Sequence, residues 1–121
     1  MKGKKKEVSV IDTIVEGMQE KKGKDITVID LLGVDGVLFD YFVICHADSD
    51  RHVEAVSDSV AEFTHKKLDL RPHHVEGTEN AQWILMDYMD VVVHIFQKQY
   101  REFYDLEGLW ADGKIKRIEN L

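Results

Sequence analysis

The chain has 121 residues, of which 44% are hydrophobic and 32% are charged. This amino-acid composition is typical of one globular domain and excludes a disordered chain. No apolar run approaches the ~18 residues of a membrane span. The formal net charge is −7, but residues 1–24 carry seven lysines and four acids, so residues 25–121 carry −10. The negative charge of residues 25–121 disfavours sequence-specific nucleic-acid binding and favours a basic protein partner.

The first half of the chain predicts a helix, two strands and a second helix. Residues 8–18 place their apolar side chains at helical spacing, so they form one stripe. The β-branched run at 26–31 and the apolar run at 41–45 predict two strands, the second covered on both faces. Asp48 or Ser49 is placed to cap the amphipathic helix that follows.

The second half predicts three strands and a C-terminal helix. A short strand is expected at 73–76, and residues 81–88 and 91–96 form a hairpin with a tight connection. The spacing of apolar residues over 100–110 predicts a helix. The order α-β-β-α-β-β-β-α predicts an α/β fold, in which helices pack against a mixed β-sheet.

Side chains that could carry chemistry do not form a recognisable motif. His73 and His74 are adjacent, so on a strand they point to opposite faces and do not share a metal ion. Cys45 is the only cysteine and lies in an apolar run, which predicts a buried thiol in a reducing, cytoplasmic compartment. We therefore predict no catalytic residues, no metal and no cofactor.

Trp83 is the most informative aromatic residue. On a strand it shares a face with Asp87, whereas Tyr88 points to the other face. An outward indole ringed by acids is the usual anchor of a protein interface, and an inward one fills the core beneath a helix. The spacing does not decide between these two interpretations.

Six blocks in order resemble the ribosomal silencing factor family, also called Iojap-like. They are DYFVI at 40–44, SDRHV at 49–53, VEG at 75–77, WILMDY at 83–88, DVVVHIF at 90–96 and REFYDLEGLW at 101–110. The resemblance spans roughly residues 8–112. We predict a single domain over residues 1–121 with that core, preceded by a flexible basic N-terminus at 1–7.

The resemblance implies a fold similar to the nucleotidyltransferase fold, without that activity. It implies binding to the large ribosomal subunit through its fourteenth protein, which sterically blocks subunit association and represses translation under nutrient limitation. A role in large-subunit biogenesis and a homodimer are also implied. The protein is then expected not to be an enzyme, and to bind neither a membrane nor a specific nucleic-acid sequence.

The family's motifs also imply a set of partner-binding residues. These are Glu76, Trp83, Asp87, Tyr88 and Asp90. His94 and the block at 101–110 match as well, and we interpret them mainly as holding the fold. The chain departs from the family at Met89, where glycine is common, and a positive φ there would strain methionine by ~1 kcal/mol or more.

Two other classes of function stay open at this point. One is a nucleotidyltransferase-like, metal-dependent enzyme that holds magnesium with Asp40, Asp87 or Asp90. The other is a dimeric scaffold that never meets the ribosome.

Overall fold

The computed structural model describes residues 2–119, with the side chains of residues 9–119. Its elements are α1 (Lys2–Glu20), β1 (Lys24–Asp30), β2 (Tyr41–Ala47), α2 (Asp50–Leu68), β3 (His74–Glu76), β4 (Trp83–Asp87), β5 (Val91–Gln97), α3 (Lys98–Tyr104), α4 (Leu106–Leu109) and β6 (Lys114–Arg117). The strands form one sheet in the order β3-β4-β5-β2-β1-β6. Strands β2 and β5 are parallel and the other neighbours are antiparallel, which confirms the predicted mixed sheet.

Helices α1 and α2 cover one face of this sheet. The predicted stripe of α1 is confirmed, because Ile14 and Met18 are fully buried in the core that both helices share with the sheet. The helices approach closely at Gly17, where an added Cβ would lie 2.9 Å from the Cα of Val60. Ser59 donates a hydrogen bond of 2.7 Å to the carbonyl of Gly17, which joins the helices at this point.

Strand β2 lies in the middle of the sheet, and all seven of its residues are buried, as predicted. Burial raises the pKa of the Cys45 thiol to about 12, so the thiol stays protonated. The helix that follows is capped by Ser49, whose hydroxyl accepts a hydrogen bond of 3.1 Å from the backbone N–H of His52. Of the two capping residues predicted, Ser49 is the one used.

The C-terminal region differs from the single helix predicted over 100–110. Asp105 adopts a left-handed φ of 46°, which ends α3 and begins α4. Strand β6 pairs with β1 beyond residue 112, so the sheet extends past the predicted core. At the other end α1 begins at Lys2, where we predicted a flexible segment; Met1 and the side chains of 2–8 lie outside the described residues.

Arg101 ties α3 to the far end of the sheet. Its guanidinium is buried and donates to the carbonyl of Asp25 at 2.8 Å and to the hydroxyl of Thr27 at 3.0 Å. It also pairs with Glu107 at 3.0 Å. Burial by itself would raise the pKa of Glu107, but hydrogen bonds and charge from Arg101 and Arg117 outweigh burial and hold that pKa below its usual value. This network sets where α3 lies over the sheet.

Within residues 2–119, no helix combines the length and the apolar character that crossing a membrane requires.

Candidate protein-docking surface

The sheet face opposite α1 and α2 is only partly covered, because α3 and α4 have seven and four residues. Aromatic rings on this face contact one another from Phe103 through Tyr104 to Trp83, with centroid distances of 5.1 and 4.8 Å. Phe103 leaves 78% of its surface exposed, and Tyr104 and Leu109 are also exposed. We call Trp83, Phe103 and Tyr104 the aromatic surface.

Trp83 is half-buried, so each of the two interpretations of this residue is partly right. Its ring stacks on buried Phe96 at a centroid distance of 4.9 Å, which makes one side of the indole part of the core. The indole N–H donates a hydrogen bond of 3.0 Å to Nδ1 of His94. The indole also contacts exposed Tyr104, at a centroid distance of 4.8 Å.

His94 lies beneath that surface and is 4% exposed. Burial lowers the pKa of its imidazole to about 3, so the ring is neutral at physiological pH. Because Nδ1 accepts the bond from Trp83, the ring proton resides on Nε2. That buried Nε2 has no hydrogen-bond partner among residues 9–119, and an unsatisfied donor of this kind costs about 1–3 kcal/mol.

Two of the predicted acidic residues lie on the same face as Trp83. Asp87 is four residues further along β4, and even spacing on a strand keeps both side chains on one face. Glu76 pairs with Leu85 across β3 and β4, which places its carboxylate on that face as well. Its Oε1 lies 3.4 Å from Nε2 of His74. The register therefore brings Glu76, Trp83 and Asp87 together at one edge of the sheet.

The turn between β4 and β5 holds the fourth predicted residue, exposed Asp90. Met89 has a φ of 79°, which is the positive φ on which the predicted strain of methionine depends. The Asp87 carboxylate accepts a hydrogen bond of 2.7 Å from the backbone N–H of Met89. The carbonyl of Asp90 accepts bonds of 2.8 and 3.1 Å from the N–H groups of Asp40 and Tyr41. These bonds attach the turn to the start of β2.

Tyr88 requires a correction, because the structure does not place it with Trp83. It is 7% exposed and lies in the core beneath α1 and α2. Its hydroxyl is 2.9 Å from that of Thr64 on α2, and burial raises its pKa. Residues of opposite parity on a strand point to opposite faces, so Tyr88 cannot add contact area beside Trp83.

Of the carboxylates considered for a magnesium-dependent enzyme, that of Asp87 accepts a hydrogen bond from the backbone N–H of Met89. Asp40 and Asp90 are joined by a hydrogen bond between their backbones. Among residues whose side chains are described, no group of three or more His, Cys, Asp or Glu side chains could hold a metal ion.

The exposed residues of α3 and α4 were not among the predicted site residues. Phe103 and Leu109 belong to the apolar pattern that predicted the C-terminal helix, and that pattern is equally expected of a buried helix face. The sequence predicted one continuous helix here and did not show that Asp105 divides it into two short ones. Helices of one or two turns cannot bury every apolar residue that they carry.

Exposed aromatic rings with carboxylates on the same sheet face are the arrangement expected of a protein-docking module, in which rings supply the anchors and charged groups surround them. The family model described as "Ribosomal silencing factor during starvation" matches residues 4–121. The chain belongs to this family.

Individual relatives agree with this assignment. A ribosomal silencing factor from Bacillus subtilis is 32% identical over 111 residues, which are 92% of this chain and 92% of that protein. A crystal structure of a Chromobacterium violaceum protein is 33% identical, covers 85% of this chain and 84% of its own, and superposes with a TM-score of 0.79. The Mus musculus protein "Mitochondrial assembly of ribosomal large subunit protein 1" is 33% identical over 84% of this chain and 45% of its own length.

Proposed function

We propose that the protein docks on the large ribosomal subunit through the aromatic surface, contacts the subunit's fourteenth protein and keeps the small subunit from joining. Translation is thereby repressed under nutrient limitation. The mechanism is steric: it requires affinity and placement and no chemical step, so the protein is not an enzyme. The family description supports silencing, and the name of the mouse relative supports a partner in the large subunit and a role in its biogenesis.

The observation that carries the proposal is the exposure of the aromatic surface. Phe103 and Tyr104 are exposed beside half-buried Trp83. Contiguous apolar groups left open on a small domain mark an interaction site, and aromatic side chains supply much of the binding energy at protein interfaces. A partner that covers this face would complete the burial that α3 and α4 leave unfinished.

The charges around the surface favour a basic partner. Exposed Glu76 lies on the strand beside that of Trp83, half-buried Asp87 lies four residues further along β4, and exposed Asp90 lies in the turn beyond it. The whole chain has a formal charge of −7. Ribosomal proteins are basic as a class, so these carboxylates would speed their encounter with the domain. Screening weakens such attraction beyond ~8–10 Å, and the association rate should therefore fall as salt rises.

The decisive experiment mixes purified large and small subunits with the protein and follows their joining by light scattering. Saturating protein should prevent joining, and cross-linking should recover the fourteenth large-subunit protein. Subunits that combine normally at saturating dose would refute the proposal. Sedimentation of the free protein at several concentrations tests separately the homodimer that the family resemblance implies.

Phe103→Ala tests the surface without leaving a cavity, because the ring is 78% exposed. It should weaken binding to the large subunit by about 1–2 kcal/mol. Val75→Ala is the matched control, since Val75 is also exposed but pairs with buried Met86 and so lies on the opposite sheet face. Equal binding by the two variants would remove Phe103 from the interface.

Trp83→Ala should weaken binding by ~2 kcal/mol or more. It should also lower the melting temperature, because the indole stacks on Phe96 and its removal leaves a gap in the core. Binding measured well below the melting temperature separates the two effects.

Glu76→Lys tests whether charge near the aromatic surface steers the partner. Glu54→Lys is the control, because Glu54 is exposed on α2 and its replacement changes the charge by the same amount. Only the former should slow association and flatten its salt dependence. If both variants associate equally slowly, the overall charge of the protein sets the association rate, and the position of Glu76 does not matter.

A further inference from the structure

We propose that His94 is a positioning residue: it holds the Trp83 indole in the one orientation in which its outer edge meets the partner. This inference rests on the proposed function, since it concerns how the aromatic surface is prepared for docking. It assigns to His94 a role distinct from filling the core.

The acceptor, Nδ1 of His94, is held in place by contacts that do not involve the indole. The His94 ring is held edge-on by Phe42, at a centroid distance of 4.7 Å and an interplanar angle of 73°. Its Nδ1 therefore stays in place beneath the surface and receives the indole N–H of Trp83 at 3.0 Å. The two rings are themselves 5.8 Å apart.

Ring stacking and the hydrogen bond constrain different properties of Trp83. Stacking on Phe96 fixes the plane of the indole. It does not select between the two orientations related by a 180° flip of the ring, because dispersion contacts have little direction. The N–H donor is on one edge only, so a bond to a fixed acceptor selects one of those orientations. The indole held in this way lies beside Tyr104, at a centroid distance of 4.8 Å.

The choice of histidine at this buried position supports the role. Its Nε2 has no partner among residues 9–119, so the side chain carries a penalty that an apolar residue of similar size would avoid. The only hydrogen bond of its ring to a described residue is the one from Trp83. The advantage of a histidine at this position is therefore the hydrogen bond that it accepts from the indole.

The test compares His94→Leu, which has no acceptor, with His94→Gln, whose side-chain carbonyl can accept the indole N–H. Affinity for purified large subunits is measured alongside the indole N–H signals in ¹⁵N NMR, with Trp110 as the internal reference. His94→Leu should bind about five- to tenfold more weakly, the worth of one hydrogen bond, and the Trp83 signal should move or broaden. His94→Gln should restore most of both, and urea unfolding should show that His94→Leu is no less stable than wild type.

A leucine variant that binds like wild type would overturn the inference, as would a Trp83 signal that does not respond. Trp83→Phe keeps a stacked ring and removes the N–H, so it provides a second route if His94→Leu folds poorly and should itself bind more weakly than wild type. Where His94→Leu folds, adding it to Trp83→Phe should cost no further affinity, and additive losses would contradict the coupling of the two residues. Wild-type protein that never binds large subunits would refute the proposed function, while the NMR comparison would still decide whether His94 orients Trp83.

Discussion

Replacing Met89 by glycine should make the protein more stable, although it removes a whole side chain. Met89 occupies the first position of the two-residue turn enclosed by Tyr88 and Val91, with a φ of 79°. The N–H of Tyr88 donates to the carbonyl of Val91 at 2.9 Å, which closes the loop. A hairpin turn with a positive φ at this position favours glycine, because a Cβ there crowds the backbone.

The expected gain follows from three terms. Left-handed backbone costs a side-chain-bearing residue about 1–2 kcal/mol, and this strain is relieved. Glycine offsets about 0.5–1 kcal/mol of this gain in stability, because it loses more conformational entropy on folding than methionine does. Met89 is 58% exposed, so little buried area is lost. The net stabilisation is about 1 kcal/mol, or a melting temperature about 3–5 °C higher for a domain of this size.

Urea unfolding is the appropriate assay, with the midpoint compared at constant slope. Met89→Ala is the control, because it trims the side chain and keeps the strained Cβ, so its stability should stay within about 0.5 kcal/mol of wild type. If Met89→Gly is no more stable than Met89→Ala, the turn is not strained at this residue and the reasoning fails.

Three further predictions concern stability. Because burial lowers the pKa of His94 to about 3, the folded state binds fewer protons than the unfolded state below pH ~6.5, so unfolding should become easier by up to about 1.4 kcal/mol per pH unit as pH falls toward 3. His94→Leu should flatten this profile in urea titrations, and an unchanged slope would contradict it. Gly17→Ala should cost about 1–3 kcal/mol, because its Cβ would meet α2 backbone at 2.9 Å, whereas Gly33→Ala meets nothing within 4 Å and should be neutral or slightly stabilising; calorimetric melting that ranks them equally would be inconsistent with this packing. Arg101→Leu should cost about 3 kcal/mol, because Glu107 loses its buried partner, and a milder loss in denaturant melts would show that the network contributes little.

Local pattern was sufficient for most of the elements. Helical spacing over 8–18 and the apolar run at 41–45 arise from residues close in the chain, and the structure places a helix and a central strand there. Strand β6 could not be found in this way, because Lys114–Arg117 is an edge strand whose four residues are all exposed. Its order comes from pairing with β1, more than 80 residues earlier in the chain.

The sequence by itself determined that Trp83 and Asp87 share a strand face and that Tyr88 occupies the other, because that alternation is a property of any extended chain. Only the tertiary structure decided which face becomes core. Two long helices cover the side of Tyr88, while short elements leave the side of Trp83 open. The contact between Trp83 and His94 likewise depends on strand register, which brings together residues 11 apart in the chain. Exposure is set by what packs above a residue, and distant segments provide that covering.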